Sequence, residues 1–411
     1  MTGSARDTCP RRRGRPPPRQ SGEVPYYRRV GEVPRKRHIL VKRPGGDGYL
    51  AEELMGQEGF AQESALLYHD RSPSAIVKAE PVDDPAAVTL TADNPVLPRH
   101  VRTPSLPKGG DPVLGRIRLL GNDDVVLSYV SADRGSDLYR NATGDELAYV
   151  HAGRATLLTS FGELDLGTGD YVVIPASVTH RWVLRSDHVE LLVFEAHGHV
   201  RFPDRYLTER GQFREGAPFS ERDIRAPTEP LLVDDDEVAV LVRTAAGLTR
   251  MVHAHHPFDV IGWDGCLYPH AVSIHDFEPI VGAIHQPPPV HQTFAGPGFV
   301  VCSFVPRPYD FHPEATKVPY HHANVDSDEV LFYAAGDFMS RAGSGIGVGS
   351  ISWHPPGFVH GPQPGSVEAA LDKTETAELA VMMDTFRSLR ASDAARAVAD
   401  DGYAWTWARE T

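Results

Sequence analysis

Eight residues near the end of the 411-residue chain, His322, Asn324, Glu329, Gly336, Gly349, Pro355, Gly357 and His360, stand at fixed intervals: H-x-N-x4-E-x6-G, twelve residues, then G-x5-P-x-G-x2-H. Two imidazoles and one carboxylate brought together make a 2-His-1-carboxylate triad, a donor set that suits non-heme Fe(II) and leaves positions open for a substrate and O2. Any one of these histidines alone reads as an ordinary core or surface residue. The spaced glycines and the proline turn the set into a metal site of His322, Glu329 and His360. His321 adjoins His322, and neighbouring strand residues point to opposite faces, so only one can ligate; the spacing to Asn324 selects His322. Asp326 and Asp328 compete with Glu329, but only Glu329 keeps the six-residue interval to Gly336.

Such ligands need a rigid frame, and the two-part pattern resembles the signature of a cupin barrel. A second copy lies upstream: Tyr139, Asn141, Glu146 and Gly153, then Gly169, Pro175, Ser177 and His180, with the same E-x6-G interval and G-x5-P-x-S-x2-H. The chain therefore reads as mainly β, a bicupin of two jelly-roll barrels with a few short helices and long loops. Ala155–Thr159, Glu163–Leu166 and Tyr171–Ile174 are apolar-rich runs separated by glycine-containing turns, as in short antiparallel strands. In the first copy Tyr139 and Asn141 stand where the motif places histidines. A phenol and an amide are poor ligands for ferrous iron, so this barrel is expected to be structural and without metal, with His180 satisfied by a hydrogen bond. Leu379–Thr385 reads as a closing strand and Ala391–Ala399 as a terminal helix.

Composition bounds the function. Residues 1–43 carry a net +10, leaving −24 on the remainder, a body not built to hold nucleic acid. Pro10–Gln20, a run of Pro and Arg, cannot bury a core. No apolar stretch follows the first arginines, and no run of about 18 apolar residues occurs, so neither a signal peptide nor a membrane span is expected and the protein reads as cytoplasmic. Three cysteines, Cys9, Cys266 and Cys302, are too few and scattered for a disulfide framework. The expected organisation is a disordered basic extension over 1–24, an N-terminal barrel over 25–200, a polar linker or cover over 201–250, the metal-bearing barrel over 251–390, and a helix and tail over 391–411. Between residues 256 and 292, His256, His275, His285 and His291 alternate with prolines, which predicts a fixed loop rather than a helix or central strand. Polar loops over a metal barrel carry acid–base groups.

These residues resemble the homogentisate 1,2-dioxygenase family of bacterial type over residues 25 to about 390: the PYYRRVG run from Pro25, PFDVIGWDG from Pro257, Pro319-Tyr320-His321-His322, and His360-Gly361-Pro362. The resemblance implies one Fe(II) on His322, Glu329 and His360, and O2-dependent ring opening of homogentisate to maleylacetoacetate, a step of tyrosine and phenylalanine catabolism. It also implies assembly as trimers or hexamers. The family's catalytic histidine falls on His285, with His291 second, and its histidine six residues before the last ligand on His354. Two positions depart: Phe338 stands where members carry a substrate-binding Tyr, and Ala323 where they carry Arg. Substrate contacts are then expected from His321, Asn324, Phe338 and Arg341. Gentisate or another hydroxylated aryl acid is the alternative substrate; a metal-dependent sugar-phosphate isomerase, which needs a basic pocket, and a non-catalytic bicupin are the competing classes.

Overall fold

In the computed structural model residues 27–408 are described, so the basic run Pro10–Gln20 lies outside them. Among the described residues there are three seven-stranded sheets, one of four strands and one of two. The first runs Gly162–Gly167, Arg154–Thr159, His180–Leu184, Tyr139–Asn141, Asp236–Thr244, Gly247–His255 and Ile76–Val82. The second runs His270–Ser273, Asp170–Ile174, Glu146–Ala152, Val189–Ala196, Val125–Ala132, Ile117–Gly121 and Arg390–Ala391. These two sheets enclose the N-terminal barrel. The third, of the C-terminal barrel, runs Gln292–Gly296, Phe299–Phe304, Leu379–Thr385, Asp328–Ala335, Ser350–His354, Arg99–Arg102 and Ala399–Asp400. Among the described residues no helix is long and apolar enough to cross a membrane.

Strand alternation explains how the barrels join. In Glu146–Ala152, Leu147 and Tyr149 face the C-terminal barrel while Ala148 and Val150 fill their own; in Val189–Ala196, Leu192 and Phe194 face across while Leu191 and Val193 face in. The second sheet is buried on both sides, and its strands read as nearly continuous apolar runs for that reason. Opposite it, Val330, Phe332, Ile351, Trp353, Val381 and Met383 complete the shared core. Removing a ring such as Trp353 from a filled core costs about 3–5 kcal/mol. This contact therefore fixes strand register, because a one-residue slip would exchange the faces. Glu329, Leu331 and Tyr333 point the other way, into the C-terminal barrel.

Strands cross the boundaries expected from sequence. Residues 201–250 are no mere linker: Asp236–Thr244 pairs with Tyr139–Asn141 in parallel and with Gly247–His255 antiparallel, completing the N-terminal barrel. Conversely Arg99–Arg102 belongs to the C-terminal sheet, beside Ser350–His354. The histidine-rich segment also departs from a plain loop. Val260–Gly265 is a central strand between Arg28–Gly31 and Ser64–His69, because its prolines flank the strand and leave VIGWDG free to pair on both edges. The terminal helix is short, Asp393–Ala397, with Ser392 capping the Ala395 amide.

Candidate metal centre

His322 and His360 are drawn together by their own backbones, each amide donating to the other's carbonyl at 2.8 Å. The turn that delivers His360 contains Gly357 at φ +80°, whose amide donates to the Asn324 carbonyl. Each ring donates Nδ1–H to the carbonyl two residues before it, His322 to Tyr320 at 3.2 Å and His360 to Phe358 at 3.1 Å. That fixes both tautomers with the Nε2 lone pairs inward. Glu329 rises between them from Asp328–Ala335: His322 Nε2 is 3.2 Å from Oε2 and His360 Nε2 3.1 Å from Oε1. The three donor atoms lie within 4.8 Å of one another.

Three acceptors facing one another at this distance repel unless a cation or proton sits among them. Bonds of about 2.0–2.2 Å to a divalent ion suit such separations, so the donor set fits a metal, and iron in particular by its chemistry. Burial alone would raise the Glu329 pKa, yet the imidazoles of His322, His354 and His360 around it outweigh that and hold the carboxyl well below its ordinary value. Asp328 does not compete, since it is committed to Trp353 Nε1 and the Leu389 amide on the far side of its strand. Asp326 is exposed.

A pocket opens beside the triad, lined by His322, Glu329, His285, His291, Arg307 and Arg341 among others. His285 is half-buried, with Asp310 3.8 Å from Nδ1 and Tyr320 against its ring. His291 is buried, its Nδ1 without a hydrogen-bond partner. Burial first, and the Arg307 charge after it, pushes His291 down to about 3; His285 is likewise lowered, mainly by burial. Both are neutral bases at ordinary pH. Arg341 is buried, donating to the Tyr333 hydroxyl at 2.9 Å and the Gly361 carbonyl at 2.6 Å.

The remaining sequence candidates lie elsewhere. His354, fully buried, sits behind the triad: Nδ1 is 3.0 Å from Glu329 Oε1, Nε2 is 2.9 Å from the Tyr403 hydroxyl, and its ring stacks on His360 at 4.0 Å. Phe338 packs edge-on to Tyr333 in a small apolar cluster with Leu331 and Met382; those two line the pocket and Phe338 does not. Asn324 turns to Asp384, and His321 is exposed, so of the expected substrate contacts only Arg341 lines the pocket. Arg307 and Tyr403 were missed by the motif spacing, because both approach from segments outside it.

In the N-terminal barrel the same three positions meet differently. Tyr139 and His180 pair across strands with rings 5.5 Å apart. Glu146 accepts from Asn141 at 3.0 Å and from Arg116 Nη2 at 2.8 Å; Nη1 of that arginine is 3.5 Å from Glu195. A buried guanidinium thus pairs with Glu146, whereas Glu329 faces the His322 and His360 imidazoles. His180 donates Nδ1–H to the Val178 carbonyl.

Residues 124–274 match the family described as homogentisate 1,2-dioxygenase N-terminal. A protein of Saccharolobus solfataricus that bears the provisional name of a dioxygenase is 38% identical over 388 residues, 93% of this chain and 99% of its own. Homogentisate 1,2-dioxygenases of Emericella nidulans and Nitrobacter hamburgensis are 26% and 28% identical, over 76% and 66% of this chain and 69% and 62% of theirs. Among solved structures, a cupin 2 conserved barrel domain protein from Leptotrichia buccalis aligns with 66% of this chain and 88% of its own at 10% identity and a TM-score of 0.32. With its mainly β bicupin fold and this likeness along nearly its whole length, the chain is an oxygenase that belongs to the homogentisate 1,2-dioxygenase family.

Proposed function

We propose that this protein is an Fe(II)-dependent dioxygenase that opens the ring of homogentisate and places both atoms of O2 in the product, maleylacetoacetate. The observation that carries the reading is the convergence of His322, Glu329 and His360 beside a pocket that His322 and Glu329 help to line, together with two neutral imidazoles and two arginines. Iron held by His322, Glu329 and His360 would supply Lewis-acid and O2-activating chemistry to a bound phenol. His285 accepts the proton of a ring hydroxyl, being neutral and within the same pocket. Arg307 faces the aryl acid's carboxylate: Phe304 lies beneath its guanidinium, Nη1 donates to the Val305 carbonyl, and among the described residues it has no carboxylate within salt-bridge distance. Ile280, Leu331 and Met382 give the ring an apolar wall that excludes water.

A second reading keeps the chemistry and changes the substrate to gentisate or another hydroxylated aryl acid. It is favoured by Phe338, which has no hydroxyl and is turned into the Tyr333 cluster, and by Ala323 after the first ligand. The protein, loaded anaerobically with Fe(II), should consume O2 on addition of homogentisate and yield a ring-cleavage absorbance band. Uptake with gentisate alone would select the second reading. Bound iron without uptake on either acid would reject both.

A further inference from the structure

We infer that Tyr403 is a positioning residue for the metal centre, its hydroxyl fixing the tautomer of His354 and so aiming a hydrogen bond at the Glu329 carboxylate. The inference rests on the metal reading above and adds to it a segment outside the barrel motif. Tyr403 begins the 3-10 turn Tyr403–Ala408 and is fully buried. Three anchors bring that segment to the back of the triad. Ala399–Asp400 pairs with Arg99–Arg102, Gln363 donates to Thr406 Oγ1 at 2.9 Å, and Trp407 Nε1 donates to the Gly361 carbonyl at 3.2 Å, next to His360.

His354 stands between the segment and the ligand. Its Nδ1 faces a carboxylate oxygen at 3.0 Å, which can only accept, so Nδ1 carries the proton. In a neutral ring Nε2 is then an acceptor, and the Tyr403 hydroxyl at 2.9 Å must donate to it. The opposite tautomer would set a lone pair against the carboxylate and turn the Nε2–H toward Tyr403, whose hydroxyl oxygen would then have to accept. A hydroxyl that donates to Nε2 therefore reinforces the tautomer the carboxylate selects, and a phenylalanine ring of the same shape leaves Nε2 without that donor. Groups of this kind behind a metal ligand alter metal affinity by about 10- to 100-fold. Tyr403 also packs against Trp407 and His100, with ring centroids 5.3 and 5.9 Å away, a space-filling role that Tyr403→Phe preserves.

The test uses the full chain, Co(II) alone as anaerobic probe, and titration calorimetry with the visible Co(II) spectrum. Tyr403→Phe should bind one Co(II) about 10-fold more weakly or worse, with an altered spectrum, while metal-free thermal unfolding moves by only a few degrees. In a His354→Asn background, where an amide donates to Glu329 without a tautomer to fix, Tyr403→Phe should add nothing. Affinity within twofold of wild type in Tyr403→Phe, or an undiminished effect of Tyr403→Phe in the His354→Asn background, overturns the inference and leaves the metal centre standing. Failure of the wild type to bind Co(II), or full retention by Glu329→Ala, defeats the metal centre itself.

Discussion

Arg307 shows at the residue scale how a pocket can choose an acid. Its charge lies close enough to help lower both His285 and His291. It thereby keeps the two imidazoles as acceptors while offering a cation to an anionic ligand. A carboxylate bound there is held alike in ground and transition states, so its loss should appear in KM rather than kcat. Charge-assisted hydrogen bonds contribute about 1.5–3 kcal/mol, so Arg307→Met should raise KM for homogentisate roughly 10- to 150-fold with kcat little changed. Steady-state kinetics with the acid and its methyl ester check this. The ester, having no carboxylate charge, should be handled alike by variant and wild type, and an equal loss on both would exclude Arg307 as the carboxylate's partner.

At the scale of elements, the signature glycine Gly336 explains why motif spacing alone carries structural information. It follows the strand that carries Glu329, at φ +93°, and a β-carbon there would overlap the Ala377 carbonyl oxygen. The seven-residue step from Glu329 is thus the length of a strand plus the turn that must end it. Gly336→Ala should destabilise the chain by about 3 kcal/mol or more and weaken Co(II) binding with it; a thermal unfolding midpoint within a degree of wild type would refute that account. Triad and hairpins were legible because each motif lies within one local stretch of chain. Asp236–Thr244 was not, since its partner Tyr139–Asn141 lies almost a hundred residues away, and pairing over such a distance leaves no interval to read. Tyr403 is hidden for the same reason, 49 positions from the His354 it bonds. The central strand Val260–Gly265 was obscured by the prolines that flank it.

At the scale of the whole molecule, two barrels of one pattern meet across a shared sheet and put opposite solutions at equivalent positions: a triad open to a pocket in one, a buried arginine between Glu146 and Glu195 in the other. Arg116 was invisible to motif reading because it enters from 30 positions before Glu146. Burial alone would raise the Glu146 pKa, but the Arg116 charge and hydrogen bond, with His180 and Asn141 behind them, bring it below the ordinary value of 4.5. A depressed folded pKa means that this carboxylate stabilises the fold above pH 4.5 and loses that contribution as pH falls through the lower folded value. Removing the cation reverses the sign. In Arg116→Met the buried Glu146 loses its cationic partner, its folded pKa rises above the unfolded one, and stability falls as pH climbs past the unfolded value. Breaking a buried pair from one side costs about 3–5 kcal/mol. Denaturant unfolding should therefore show Arg116→Met that much less stable than wild type at pH 7.5, with the gap narrowing toward pH 5 as Glu146 takes up a proton on folding. A gap of the same size at both pH values would mean that the guanidinium fills space in the N-terminal barrel without balancing its charge.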